Sequence, residues 1–220
     1  MRAAVFRNAF GVLAAVATTA VLALPWAACD PPRRAPAIGD RFTDDFERAD
    51  IGPEWRETGP GWRIANGSLV GQGVRNHPLW LRRRLPRNAH IAFDAWSESP
   101  NGDLKCEVYG DGESFARQAS YTATSYVVIF GGWFNSLNVI ARMDEHAPDR
   151  RVRRGPRVEV NRHYRFDIER RGNLLKWSID GQPMLEWDDP DPLAGPGHEF
   201  FAFNDWDVRV HFDNLVITPL

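Results

Sequence analysis

The chain has 220 residues, with 27 Lys and Arg against 29 Asp and Glu and a formal charge of −2 at pH 7. That length carries one sizeable domain with its own core. The near balance of charge gives no basic face for a nucleic acid, so nucleic-acid partners are set aside.

Residues 1–28 read as an export signal. Arg2 and Arg7 are their only charges, and Ala9–Ala28 is an almost unbroken run of apolar and small residues. The run ends in Ala27-Ala28-Cys29, which resembles the lipobox of bacterial lipoproteins, where the Cys is lipidated and becomes the new N-terminus. Trp26 departs from that pattern, which has an aliphatic residue there. An uncleaved anchor is the alternative, since about 20 apolar residues span a bilayer. Either way the folded part is expected to be exported and tethered at a bacterial envelope, through lipid on Cys29 in the first case. Residues 29–39 carry three prolines and little to bury, and read as a stiff tether. Without Arg2 and Arg7 the balance is 25 basic to 29 acidic side chains. With Cys29 lipidated, Cys106 is alone, flanked by Leu104 and Val108 on one strand face, and reads as a buried, inert thiol.

Residues 40–220 read as one all-β domain. Short alternating segments follow one another, separated by Gly, Pro, Asn and Asp. They are Arg41–Phe46, a hairpin of Trp62–Ala65 and Ser68–Gly71 about Asn66-Gly67, Pro78–Arg84, Ala89–Glu98, Leu104–Tyr109, Thr124–Gly131 and Leu137–Met143. Tyr164–Trp187 is a three-strand meander turned by Arg171-Gly172-Asn173 and by Asp180-Gly181, residues that tolerate the positive φ of a tight hairpin. Glu199–Asn204 and Val208–Thr218 close the chain. No segment of helix length after the signal shows a 3.6-residue period, so the pattern implies a two-sheet antiparallel sandwich or barrel. Trp55, Trp62, Trp177 and Phe201 are assigned to its core.

Several of these segments carry a family resemblance. The opening F-T-D-D-F-E-R (Phe42–Arg48), W-R-I-A-N-G-S-L (Trp62–Leu69), W-S-I-D-G-Q (Trp177–Gln182) and V-H-F-D-N-L-V-I (Val210–Ile217) resemble the concanavalin A-like lectin/glucanase superfamily. The likeness is nearest to its laminin-G-like and 3-keto-disaccharide hydrolase-like bacterial domains. It implies a jelly roll with a poly- or oligosaccharide bound on the concave sheet, and allows calcium in some relatives. No cofactor is otherwise expected. Asp188-Asp189-Pro190-Asp191 is the one stretch acidic enough for calcium, though a solvated turn reads as well. The carboxylate strand of the glucanases, E-x-D-x-x-E or E-x-D-x-E, has no counterpart. Glu107-Val108-Tyr109-Gly110-Asp111-Gly112-Glu113 has the wrong spacing.

Three clusters are candidates for chemistry. In Gly131–His146, Trp133 and Asn135 lie on the loop after Gly131-Gly132, and Asn138 and Arg142 share one strand face. An aromatic ring beside planar donors suits a pyranose. The alternative is a Trp plugging the sandwich and an Arg in a surface ion pair. Asp94, Trp96 and Glu107 lie on polar strand faces. If their strands share the concave sheet with Leu137–Met143, Asp94 and Glu107 converge near Arg142 as a glycosidase-type acid/base pair or as a structural ion-pair network. Asn204 and Trp206 belong to a turn between the last two strands, where the Trp contacts sugar at the rim or caps the core. The leading expectation is a tethered carbohydrate-binding jelly roll. A glycoside-cleaving enzyme and a laminin-G-like adhesion module are the alternatives.

Overall fold

The computed structural model describes residues 35–117 and 121–220. The expected signal segment and Cys29 lie outside the described residues. Part of the expected tether does not: Ala37 bridges Arg84, Ile38 donates its N–H to the Arg84 carbonyl at 2.9 Å, and the Ile38 side chain is buried. The domain therefore begins a few residues before Asp40.

Fifteen strands follow. They are β1 (Phe42–Asp44), β2 (Trp55–Glu57), β3 (Trp62–Ala65), β4 (Ser68–Gln72), β5 (Leu79–Leu81), β6 (Ala89–Ser97) and β7 (Leu104–Gly110). The second half contributes β8 (Tyr126–Gly131), β9 (Leu137–Arg142), β10 (Arg151–Arg153), β11 (Tyr164–Arg171) and β12 (Leu174–Ile179). Last come β13 (Gln182–Asp188), β14 (Phe200–Asn204) and β15 (Arg209–Pro219).

They build two antiparallel sheets. Sheet I runs β13-β12-β11-β6-β15-β4-β3, with β1 also paired to β15. Sheet II runs β10-β9-β8-β7-β14-β5-β2. One flank of β15 serves both β4, opposite Arg209–Phe212, and β1, opposite Leu215–Ile217. Between them the register shifts at Asp213–Val216 and Asn214 takes a φ of 50°, the local kink of a β-bulge. The hairpin residues behave as their chemistry dictates. Asn66-Gly67 has φ of 52° and 70°, and Asp180-Gly181 has 51° and 72°, the two successive positive values a two-residue turn needs.

The core lies between the sheets. It includes Phe93, Phe166, Trp177 and Phe212 from sheet I and Trp55, Phe130, Phe201 and Phe203 from sheet II. Trp55, Trp62, Trp177 and Phe201 are all in it, and so is Cys106, whose thiol burial pushes well above its ordinary value, with the nearby Glu107 adding to the effect.

Strand order departs from chain order at the point that matters for function. β6 and β7 follow each other in sequence, yet β6 pairs with β11 and β15 in sheet I while β7 pairs with β8 and β14 in sheet II. The chain crosses from one layer to the other at Glu98–Asp103. Sequential strands are usually neighbours but need not be.

A polar knot fixes the start of the chain. Asp44 accepts from the Phe46 N–H (3.0 Å), from both Arg48 guanidinium nitrogens (2.5 and 2.9 Å) and from Trp55 Nε1 (2.7 Å). Replacing Asp44 by Ala strands a buried indole N–H and a part-buried guanidinium at once. Asp44→Ala is expected to lower unfolding stability by about 3 kcal/mol. Urea titration should show a lower midpoint at unchanged slope, with Asp44→Asn losing less.

Candidate functional site

The outward face of β7 carries charge where a sandwich surface would meet water. Leu104, Cys106 and Val108 point into the core, so the pleat turns Lys105 and Glu107 to the opposite face. Both are nevertheless buried, because Ala116, Tyr121 and Ala123 lie over this face of sheet II with Val127, Ile129, Val139 and Ala141. Glu107 accepts from Tyr121 Oη (3.0 and 3.1 Å), Ser125 Oγ (2.6 Å) and Asn204 Nδ2 (2.7 Å). Burial raises its carboxyl to about 7 against the pull of those donors and of Lys105. Lys105 donates from Nζ to Asn76 Oδ1 (2.9 Å) and Glu145 Oε2 (3.1 Å). Burial opposes its charge, but Glu145, Asp103 and Asp205 more than offset that and hold the ammonium above its ordinary value.

The well continues toward the end of the sandwich where β7 and β15 begin and β8 and β14 finish. Asp103 donates its N–H to the Gly131 carbonyl and accepts from the Trp206 N–H (2.9 Å). The Arg75 and Asn76 amides bind the Trp206 and Asp205 carbonyls at 2.6 and 3.0 Å. Four loops therefore meet at this pole. At their junction Asp205 is fully buried, and neither of its carboxylate oxygens has a hydrogen-bond partner among the described residues. Burial and the neighbouring Asp103 carboxyl both push its pKa well up, and burial does the same to Asp103. Trp206 stands at the rim with 44% of its surface exposed.

The Gly132–Asn135 turn flanks the same pole. Trp133, Phe134 and Asn135 have φ of 50°, 56° and 61°, three successive side-chain-bearing residues in the left-handed region. For Trp133 and Phe134 this costs about 1–2 kcal/mol each relative to right-handed backbone, while Asn135 tolerates it. The Asn135 amide holds the turn by donating to the Pro100 and Val158 carbonyls (2.9 and 2.8 Å) and accepting from the Val158 N–H (2.8 Å). The result places Phe134 in solvent, 85% exposed, and Trp133 partly over the outer apolar patch of sheet II. The Arg150 guanidinium lies 4.8 Å from the Trp133 ring centre, and His146 meets the ring edge-on.

The structure does not assemble the expected residues as one group. Glu107 and Asn204 come together, with Trp206 at the edge of the same well. Asp94 does not join them: it lies on the outer face of sheet I, bound by Arg165 (3.2 Å) and Asn214 (2.8 Å), on the far side of the core from Glu107. Trp96 shares that outer face. It is stacked between His163 on the β11 side (4.0 Å) and His211 on the β15 side (4.6 Å), so both indole faces are covered. Asn138 and Arg142 do share a face, but it is the inner one, with Ile140. Asn138 binds the Gly131 N–H and the Pro156 carbonyl. Arg142 pairs with Asp189 (3.4 Å) and Asp191 (3.1 Å). Asp189 also accepts from Tyr126 Oη, and among the described residues no three acidic side chains gather as a calcium ligand set, at this turn or elsewhere. Sequence reasoning gives Asp205 only as part of the turn that holds Trp206, and assigns no role to Phe134, Lys105 or Asp103. For Phe134 the Gly131-Gly132 pair announced a turn, but nothing in it told which ring would face water.

No family model matches the chain, and no curated protein matches it. Solved structures do. The carbohydrate binding module CBM66 from Bacillus subtilis aligns at TM-score 0.59 and 14% identity, over 77% of this chain and 98% of that one. A prokaryotic β-1,3-1,4-glucanase (lichenase) derived from a mouse hindgut metagenome aligns at 0.57 and 8% identity, over 83% and 100%. The exoplasmic/lumenal domain of VIP36 in its Ca2+-bound form gives 0.60 and 8% identity, over 82% and 90%. Identities this low speak for architecture, and on that point they agree: the chain has the concanavalin A-like jelly-roll fold.

Proposed function

We propose that this chain is a carbohydrate-binding jelly roll, held at the bacterial envelope through lipid on Cys29. Its ligand sits at the pole where Trp206 and Phe134 flank the Asp103–Lys105–Asp205 well. The observation that carries this reading is the pair of rings, Trp206 and Phe134, held out to water at the pole where the loops meet. A sugar ring offers apolar C–H faces for the aromatics. The kinship in fold with a carbohydrate binding module supports the ligand class. Trp206 and Phe134 are exposed, so replacing them leaves the core intact. Trp206→Ala and Phe134→Ala are each expected to weaken glycan binding about tenfold, the weight of ~1.4 kcal/mol of ring contact, at unchanged melting temperature. Asp94→Ala is expected to leave binding as it was. A wild-type chain that retains no polysaccharide on a glycan array would sink the proposal.

The tether has its own test. Radiolabelled palmitate should enter the protein in the producing bacterium and be absent from Cys29→Ser. Label that persists in the variant removes the lipid anchor from the reading.

A glycoside-cleaving role is favoured by one observation, the Glu107 carboxyl poised near neutrality. Against it, Glu107 is sealed beneath Tyr121 and already saturated with donors, and Asp94 is not its partner. The structural role makes a distinct prediction. Glu107 holds its proton more tightly in the folded chain (about 7) than in the unfolded one (4.5), so its contribution to stability is greatest below that window and falls as pH rises through it. Asp103 and Asp205 act in the same sense. Glu107→Gln is expected to flatten the decline and gain on the order of 3 kcal/mol over wild type between pH 4.5 and pH 8. Urea unfolding of both proteins across that range checks it, and a Gln variant whose stability declines as steeply as that of wild type contradicts it.

A further inference from the structure

One edge of sheet II is unlike the rest of the surface. The segment 150–157, R-R-V-R-R-G-P-R, contains five arginines in eight residues in a chain whose formal charge is negative. Its middle forms β10, all three residues of which are exposed, and Arg154 and Arg157 are exposed beyond it. The ion pairs in the neighbourhood belong to Arg142 and Arg162. Among the described residues none of the five reaches a carboxylate.

Three of the five guanidinium groups are instead fixed by uncharged partners. Arg150 lies over the Trp133 ring and donates to the Glu145 carbonyl. Arg151 lies 4.9 Å over the Trp187 ring. Arg153 donates to the Pro183 carbonyl at 2.7 Å. These contacts restrain the planar forks without neutralising them. A chain that needed only a charged edge to prevent strand pairing would not require its cations to be stacked and bonded in place. Beside β10 lies a cleft of about 310 Å³ with Arg153, Arg157 and Arg162 at its mouth and Phe130, Tyr164 and Met184 beneath, the size of a small ligand site. One carboxylate, Asp180, faces it, and Arg162 already holds that group at 3.2 Å.

The edge also leads to the sugar pole. Antiparallel pairing sets Arg151 opposite Ile140 and Arg153 opposite Asn138, so the strand advances toward the Gly132–Asn135 turn. Beyond it, Pro156 and Val158 are bonded by Asn138 and Asn135.

We propose that the β10 edge and its cleft bind the acidic groups of a polysaccharide, so that the ligand of this domain is a glycan bearing carboxylate or sulfate. The inference rests on the carbohydrate reading above. A guanidinium fork meets a planar oxyanion in two parallel hydrogen bonds, which suits a uronate or a sulfate ester. A lipid surface is a plane of mobile headgroups and gains nothing from a cleft or from stacked, restrained arginines.

The test uses the full chain with polygalacturonate and chondroitin sulfate as acidic probes, a neutral mixed-linkage β-glucan, and phosphatidylglycerol/phosphatidylcholine vesicles. Arg154 and Arg157 make no hydrogen bond or ion pair among the described residues, so R154E/R157E should melt with wild type. Wild type is expected to bind at least one acidic probe, more than tenfold more weakly at 300 mM than at 50 mM salt. R154E/R157E is expected to lose that binding at least tenfold, while R154K/R157K keeps part of it. Binding of the neutral glucan alone, unchanged in R154E/R157E, overturns this inference and leaves the carbohydrate reading standing. Binding of neither kind of glycan overturns both. Binding of the vesicles with no acidic glycan assigns the edge to lipid and overturns it as well.

Discussion

Phe203 is the residue on which the two layers meet. It belongs to β14 of sheet II, yet its ring stacks on Phe212 at 4.3 Å and meets Phe93 edge-on at 5.2 Å, both from sheet I. Trp55 and Phe46 close over it at 5.5 and 6.2 Å. Because a strand alternates, this one inward ring dictates what lies outward on either side of it. Asn204 must face away from the core, opposite Lys105 and within reach of Glu107. Aromatic packing between the sheets and the polar well outside them are two faces of one register.

The well itself is an expensive arrangement. Two carboxyls, Glu107 and Asp205, and the Lys105 ammonium are removed from water, which is costly without compensating partners. Glu107 has four hydrogen bonds from three side chains, Lys105 has Asn76 and Glu145, and Asp205 alone has none. The strained turn beside it follows the same logic: Asn135 offsets left-handed backbone with three hydrogen bonds to segments 100 and 158. Backbone strain that the surrounding structure over-determines is found where a fold is shaped for something other than stability.

Most of the strands were legible because they alternate, and the hairpins because Asn66-Gly67 and Asp180-Gly181 admit few other conformations. Two strands were not. β2 and β10 are three-residue edge strands; β10 is exposed throughout and β2 turns only Trp55 to the core, so neither is long enough for an alternation to show. Layer assignment was also hidden. Period-2 alternation says that Asp94 and Glu107 avoid the core, but each sheet has its own outer face and nothing local tells which sheet a strand joins. The burial of Glu107 depends on Tyr121 and Ala123, from a stretch without alternation. Trp96 looked like an open platform because its covering imidazoles, His163 and His211, are 67 and 115 residues away in the chain.

The pairing of the first strand with the last gives the domain a direction. β1 lies against Leu215–Ile217 at one end of β15, where Pro219 faces Ala89 and Leu220 bonds the Asn88 carbonyl. The other end of β15, at Arg209, adjoins the Trp206 loop. The strand has eleven residues, so its ends lie ~33 Å apart at ~3.3 Å per residue. Phe42, and Ile38 docked at Arg84 before it, therefore lie toward the end of the domain away from the exposed rings. A surface gripping that end would carry the domain upright, with its aromatic rim facing outward.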